Sequence, residues 1–173
     1  MRTRRLIIGV CTAALACSGV SVATAAPDPG SADAYFVQGA HQSNLAEIAA
    51  GQDAQKNATT DCVKQVGAAL VRDHTKLDAD LSALAEKGNV TLSQTPTREQ
   101  QNTLADVRAK AGSKGYDTAW LATQEAGHSK TLTMIDQQIN QGKDSETVTA
   151  AKKARPVVVM HLDMVRGGTC HGT

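Results

Sequence analysis

The stretch Gly67-Ala-Ala-Leu-Val-Arg-Asp-His-Thr-Lys-Leu-Asp-Ala-Asp-Leu81 carries a lone imidazole inside an apolar stripe. Leu70, His74, Leu77 and Leu81 fall at i, i+4, i+7 and i+11, one face of an α-helix, so His74 is expected to point inward. Three more segments repeat the pattern: His41 lies among Val37, Leu45 and Ile48, His128 among Leu121, Leu132 and Ile135, and His161 among Val157, Val158, Met164 and Val165. Four helices that each send one histidine toward a shared core suggest a metal site in an all-α bundle, and they identify no reaction.

Outward from that stretch, the spacing of apolar residues and breakers predicts a first helix over Asp33 to Lys56, capped by Ser31 or Asp33, and a second from Thr60 or Asp61 to Lys87. The brief link at 57–60 makes these two antiparallel. From Gly88 to Gly115 the pattern changes to loop and a short amphipathic helix over Thr97 to Ala111, which is long for a hairpin. It suits a crossover running the length of a four-helix bundle, as ferritin-like folds use between their second and third long helices. The remaining helices are placed at Tyr116 to Gln141 and Ser145 to Arg166, with a kink expected at Pro156. Gly39 and Gly51 would weaken an isolated first helix, so close packing against a neighbour is expected there.

Met1 to about Ala25 reads as a secretory signal. Arg2, Arg4 and Arg5 open it, an apolar run follows, and Ala23-Thr24-Ala25 supplies the small-residue cleavage pattern. Residues 26–32 form a short lead, 33–166 the domain and 167–173 a tail. Thr3-Arg4-Arg5 is a weak fit to a twin-arginine signal, and the leucine before Cys17 stands one place late for a lipid-anchor motif, so ordinary secretion is favoured over an anchor at Cys17. Cleavage removes three arginines and no acid, taking the net charge from +1 to −2. With no basic patch and few aromatic residues, nucleic acid is an unfavourable partner. No further apolar run approaches the ~20 residues that span a bilayer, and the ~148 residues left fit one domain. A cell-envelope partner stays unspecified.

Cleavage also leaves Cys62 and Cys170 as an even pair in an oxidising compartment, where a disulfide is the default. Cys62 lies about 18 Å before His74 along its helix, and Cys170 lies a short tail beyond His161. The two meet only if the second and fourth long helices run antiparallel, which an up-down-up-down bundle forbids and a crossover permits. With the first turn near Ala58, His41 and His74 each fall about 25 Å from that end, and His128 and His161 fall about 21 and 28 Å from the second turn. The four rings are therefore expected near one level.

Glu125-Ala-Gly-His128 has the Glu-x-x-His spacing that di-iron bundles use, and Glu47 is the inward carboxylate of the first helix. The candidate ligands are thus His74, His128, His161, Glu47, His41 and Glu125, with Asp73, Asp78 and Asn44 as outer partners that orient the rings. Iron, zinc and copper are not distinguished. Val71 and Val158 stand where a second Glu-x-x-His would need its acid, which favours a mononuclear or loosely paired site over a full di-iron centre. Covalent haem lacks its first cysteine before Cys170-His171. Ser129 points to a neighbouring face from His128, which leaves nucleophilic catalysis without a base. Met134, Met160 and Met164 read as core filling rather than a copper box, and His171 as an exposed tail residue.

The residues Phe36-Val-Gln-Gly-Ala-His-Gln-Ser-Asn-Leu-Ala-Glu47-Ile, Val71-Arg-Asp-His74-Thr-Lys, Tyr116-Asp117, His128, and Pro156 followed by His161 resemble the bacterial family called domain of unknown function 4142. The resemblance spans about Asp33 to Arg166. It implies an exported, ferritin-like four-helix domain with no established activity. Glu47, Asp73, His74, His128 and His161 match the family's recurring polar positions, while His41 belongs to a subset. The outer-membrane label that the family often carries finds no alternating barrel strands here. Two readings stay open: a secreted metal-binding bundle, and a metal-free structural or interaction module of the cell envelope whose histidines are packed polar residues.

Overall fold

The computed structural model describes residues 30–172. Among these every regular element is helical: α1 (Ala32–Asn57), α2 (Asp61–Lys87), α3 (Arg98–Arg108), α4 (Lys114–Gln141) and α5 (Ser145–Val165), with a 3-10 turn at Arg166–Gly168. The expected signal segment 1–25, with Cys17, and residues 26–29 of the lead lie outside the described residues.

Helix starts fall where a short polar side chain can satisfy an N–H that the first turn leaves free. Ser31 accepts from Ala34, Thr60 from Val63 and Asp144 from Thr147, and Thr97 forms a reciprocal capping box with Gln100. Asp33 does not cap α1. Its buried carboxylate instead accepts from Gln138 and from the backbone N–H groups of Lys143 and Asp144, tying the α4–α5 link to the start of α1. α5 passes through Pro156 as one continuous helix, with that residue exposed.

The hydrogen bonds trace the path of the chain. α1 and α2 are antiparallel across the short 58–60 link. Residues 88–113 then travel back along α1: Gln38 donates to the Thr91 carbonyl, Gln42 to that of Thr95, and Gly112 N–H to that of Asn57. α4 starts beside that link, where Asp117 accepts from Thr59 and Thr60, and it ends beside Asp33. α5 returns to the far end, where Cys170 is bonded to Cys62 with their Cα atoms 6.2 Å apart. The connection is a crossover, and α2 and α5 are antiparallel, as the cysteine spacing required.

α1 and α2 touch through glycine. A Cβ on Gly51 would stand 2.5 Å from the Gly67 carbonyl oxygen, and one on Gly67 would stand 2.8 Å from that of Gly51. Gly39 has only an ordinary contact, 3.4 Å from the Met134 sulfur.

The apolar core is divided in two. One half, at the disulfide end, holds Val63, Val66, Leu70, Tyr116, Trp120 and Val165; the other holds Phe36, Val37, Leu81, Leu84, Ile135 and Val158. Between them every long helix contributes buried polar residues: His41 and Asn44 from α1, His74 from α2, Gln124 and His128 from α4, and His161 from α5. Burying such groups without partners costs free energy, so a polar layer across the middle of a small core calls for a physical reason.

Candidate metal centre

Three of the four helical histidines meet in that layer. His74, His128 and His161 are 2%, 2% and 0% exposed, and their ring centroids lie 5.7, 5.1 and 5.5 Å apart. Each can offer one ring nitrogen so that all three atoms lie within 4.8 Å of one another.

The opposite nitrogen of each ring is held by an acceptor. His74 Nδ1 donates to Asn44 Oδ1 at 2.9 Å, His128 Nδ1 to the Gln124 carbonyl at 2.8 Å, and His161 Nε2 to Asp73 Oδ2 at 3.0 Å. Those bonds select the tautomer, so the lone pairs fall on His74 Nε2, His128 Nε2 and His161 Nδ1. All three atoms are buried and have no hydrogen-bond partner in the protein. Burial, then repulsion from His128 and His161, pushes the His74 imidazole well below its ordinary range, against a smaller pull from Asp73. Burial likewise lowers His161, although its bond to Asp73 works the other way. Both rings are therefore neutral near neutral pH, the form that binds metals. Burial pushes Asp73 up, but its hydrogen bonds from Arg72 and His161 outweigh that and hold it ionised below the usual range.

Glu47 stands beside the trio. Its Oε1 lies 4.0 Å from His128 Nδ1, and its buried Oε2 has no partner. Burial raises this carboxyl, and the neighbouring His128 only partly opposes the effect.

Three buried imidazoles with converging, unpartnered nitrogens could hold a divalent transition metal. Zinc–nitrogen bonds of about 2.0–2.1 Å in tetrahedral geometry place ligand nitrogens about 3.3 Å apart. The cluster meets that with an inward movement of no more than about 1.5 Å.

Two expected ligands are elsewhere. His41 is buried, but its Nδ1 lies 2.7 Å from Asp78 Oδ1 and its Nε2 lies 2.7 Å from the Ser93 carbonyl oxygen. The α1–α2 register pairs Asn44 with His74 and His41 with Asp78, one turn away from the register that a link centred on Ala58 implies. Asp78, expected to support His74, is for the same reason the partner of His41. Glu125 turns from the core to accept from Gly167 and Gly168 N–H, at 2.9 and 3.1 Å, where these glycines adopt φ of 66° and 63°. The i, i+3 offset leaves the two side chains about 60° apart around the helix, which is enough to aim Glu125 at the end of α5. Among the methionines, Met164 is buried in the core while Met160 is 40% exposed and fills nothing. His171 is exposed, as expected.

Gln124 was not legible as a site residue. Its carbonyl orients His128, and its side-chain Oε1 is another buried atom without a partner. Its position four residues before His128 was the available signal.

The family model described as Domain of unknown function (DUF4142) matches residues 19–167, and the chain belongs to that family. No curated protein and no solved structure matches the chain. Among the described residues no helix is long and apolar enough to cross a membrane.

Proposed function

We propose that this chain is an exported, ferritin-like helical-bundle protein that binds one transition-metal ion through His74, His128 and His161, with Glu47 behind His128, on the Nδ1 edge of that ring. The observation that carries this reading is the set of three unpartnered lone pairs brought together in a buried layer, each on a ring whose other nitrogen is fixed. An unpaired buried polar group costs about 1–3 kcal/mol. A bound ion offsets that cost three times at one point. The crossover supports a ferritin-like path, and the absence of acids at Val71 and Val158 supports one ion rather than two. Export is supported by the basic, apolar and small-residue pattern before Pro27 and by the paired cysteines.

When bound, the metal would supply Lewis-acid or redox chemistry. The protein's own part is to orient three rings, exclude water from two apolar flanks, and hold a proton on or release it from the Glu47 carboxyl.

The test is metal analysis of untagged protein, followed by titration of chelator-treated protein with zinc, copper and ferrous ions under thermal melting. One equivalent of metal and a rise in Tm are expected, and both should vanish in His161→Ala. If wild type retains no metal and no ion moves its Tm, the remaining reading is a metal-free envelope module. That reading has one observation of its own, the edge-to-face packing of the imidazoles at 5.5 and 5.7 Å, which suits rings used as core.

A further inference from the structure

The crossover between α2 and α4 is anchored in the core at two points and thin between them. Val90 is buried in one half of the core and Val107 in the other, so the chain from 91 to 106 spans the polar layer, and none of its residues is buried. Here α3 does not lie flush on the bundle: a groove of about 520 Å³ separates it from α1 and α4. Glu47 and Gln124 line that groove. Both stand directly behind His128, whose Nδ1 donates to the Gln124 carbonyl and lies 4.0 Å from Glu47 Oε1. Other seams around the trio are tied across the core. α1 meets α2 backbone to backbone at Gly51 and Gly67, and α2 is joined to the end of α5 by the disulfide and through Asp73 to His161.

What holds this segment down at its start is polar. Gln38, His41 and Gln42 lie on one face of α1, at i, i+3 and i+4. They meet the carbonyls of Thr91, Ser93 and Thr95, alternate residues, as one edge of an extended strap presents them. The two glutamine bonds are exposed, at 3.2 and 3.4 Å. His41 Nε2 stands closer, 2.7 Å from the Ser93 carbonyl oxygen, and Asp78 steadies the ring from behind at 2.7 Å from Nδ1. On the α4 side Glu99 and Lys130 add only an exposed pair 3.8 Å apart, which contributes little. The far end is firmer: Arg108 donates to the buried Asp53 carboxylate at 2.5 Å, and Gly112 N–H donates to the Asn57 carbonyl.

Rings that are 0–2% exposed take up an ion only when something opens, and segments with few buried contacts and exposed hydrogen bonds open at the least cost. We propose that residues 91–106 form a lid that opens locally to give ions a route to His128 and the two rings beside it, and that His41 is the latch that sets how often it opens. Once α3 lifts, the route leads past Glu47 Oε2 and Gln124 Oε1, two buried oxygens without a partner that suit a cation in passage. That an ion makes the passage rests on the metal reading above; the lid itself does not. His41 thereby serves exchange rather than ligation.

The experiment uses the full chain and two readouts. Amide hydrogen exchange of chelator-treated protein, followed by mass spectrometry, needs no metal; stopped-flow uptake of zinc, and its release to excess chelator, measures passage. In wild type the α3 amides should exchange faster than those of α2 and α5. His41→Ala should speed α3 exchange about tenfold, the effect of losing one hydrogen bond, and should speed zinc uptake and release by the same factor with Kd held. If His41→Ala disturbs the bundle, Gln38→Ala combined with Gln42→Ala tests the same strap through its exposed bonds and should move all three rates the same way by a smaller factor. Arg155→Ala, which cuts an exposed ion pair with Asp136 between α4 and α5, should move none of them. Wild-type α3 amides as protected as those of α2, or α3 exchange untouched by both latch variants, overturns the lid. Faster α3 exchange with unchanged zinc rates overturns the route. No zinc uptake at all, with α3 exchange still set by His41, sinks the metal reading alone and leaves the lid standing.

Discussion

His41 and His74 occupy facing helices about one turn apart, and both are buried, yet they are chemically opposite. His41 has an oxygen against each ring nitrogen, a carboxylate on one side and a backbone carbonyl on the other, so neither nitrogen is left without a partner. His74 faces one acceptor, and its second nitrogen points at two other rings in the same condition. The difference teaches that inward direction does not make a ligand; an unspent lone pair does. The sharpest way to break this contrast is to delete each ring in turn. His74→Ala should abolish the metal-induced rise in Tm. His41→Ala should leave the rise in place while lowering the stability of the metal-free protein by about 1–3 kcal/mol, because Asp78 and the Ser93 carbonyl lose their donor. Paired melts with and without metal check both, and a metal response lost equally in the two variants would erase the distinction.

The same contrast extends one step outward, to the acids. Asp73 holds His161, and Asp78 holds His41. Partners that fix a ligand ring typically contribute 10–100-fold to metal affinity. Asp73→Ala is therefore expected to weaken binding by about that factor, and Asp78→Ala to leave it unchanged, as measured by competition with a chromophoric chelator. The ion pair of Asp73 with the exposed Arg72 does not confuse the result, since exposed pairs contribute little.

How much of this was visible in the chain depends on whether the signal was local. Helix positions, caps and the crossover followed from periodicity, breakers and the reach of Cys62 and Cys170. Heights along helices were legible to about a turn, which was enough to group His74, His128 and His161 and not enough to separate His41 from them. What decided His41 was the register across α1 and α2, set by the Gly51–Gly67 contact, and pairing across helices leaves no trace in the spacing along one. Glu125 shows the same limit from another side. The Glu-x-x-His spacing is a local fact, but the competing Gly167 and Gly168 N–H groups come from 42 and 43 residues away. Of the two caps offered for α1, Ser31 takes the role, while Asp33 ties down the α4–α5 link more than 100 residues away.

A smaller effect compares the layer with the ends of the bundle as acid is added to the chelated protein. Free imidazole in the unfolded chain titrates near pH 6.5, while His74 and His161 titrate lower in the folded state. Below about pH 6.5 the unfolded chain thus takes up protons that the folded one refuses, and the stability these rings contribute above that pH is lost as pH falls toward their folded values. Glu47 acts in the opposite sense. Its folded carboxyl is raised, so the folded state takes its proton first and part of the imidazole loss is offset. At the link between α1 and α2, burial raises Asp117, but its bonds from Thr59 and Thr60 prevail and lower it. Its contribution therefore persists until pH falls below the unfolded carboxylate value of about 3.9 and is lost through its lower folded value. Acid denaturation followed by urea titration at each pH should then show two steps. Glu47→Gln should steepen the upper step, His74→Gln should flatten it, and Asp117→Asn should flatten only the lower. An upper slope that ignores both His74→Gln and Glu47→Gln would mean that the layer does not exchange protons with folding as its burial requires.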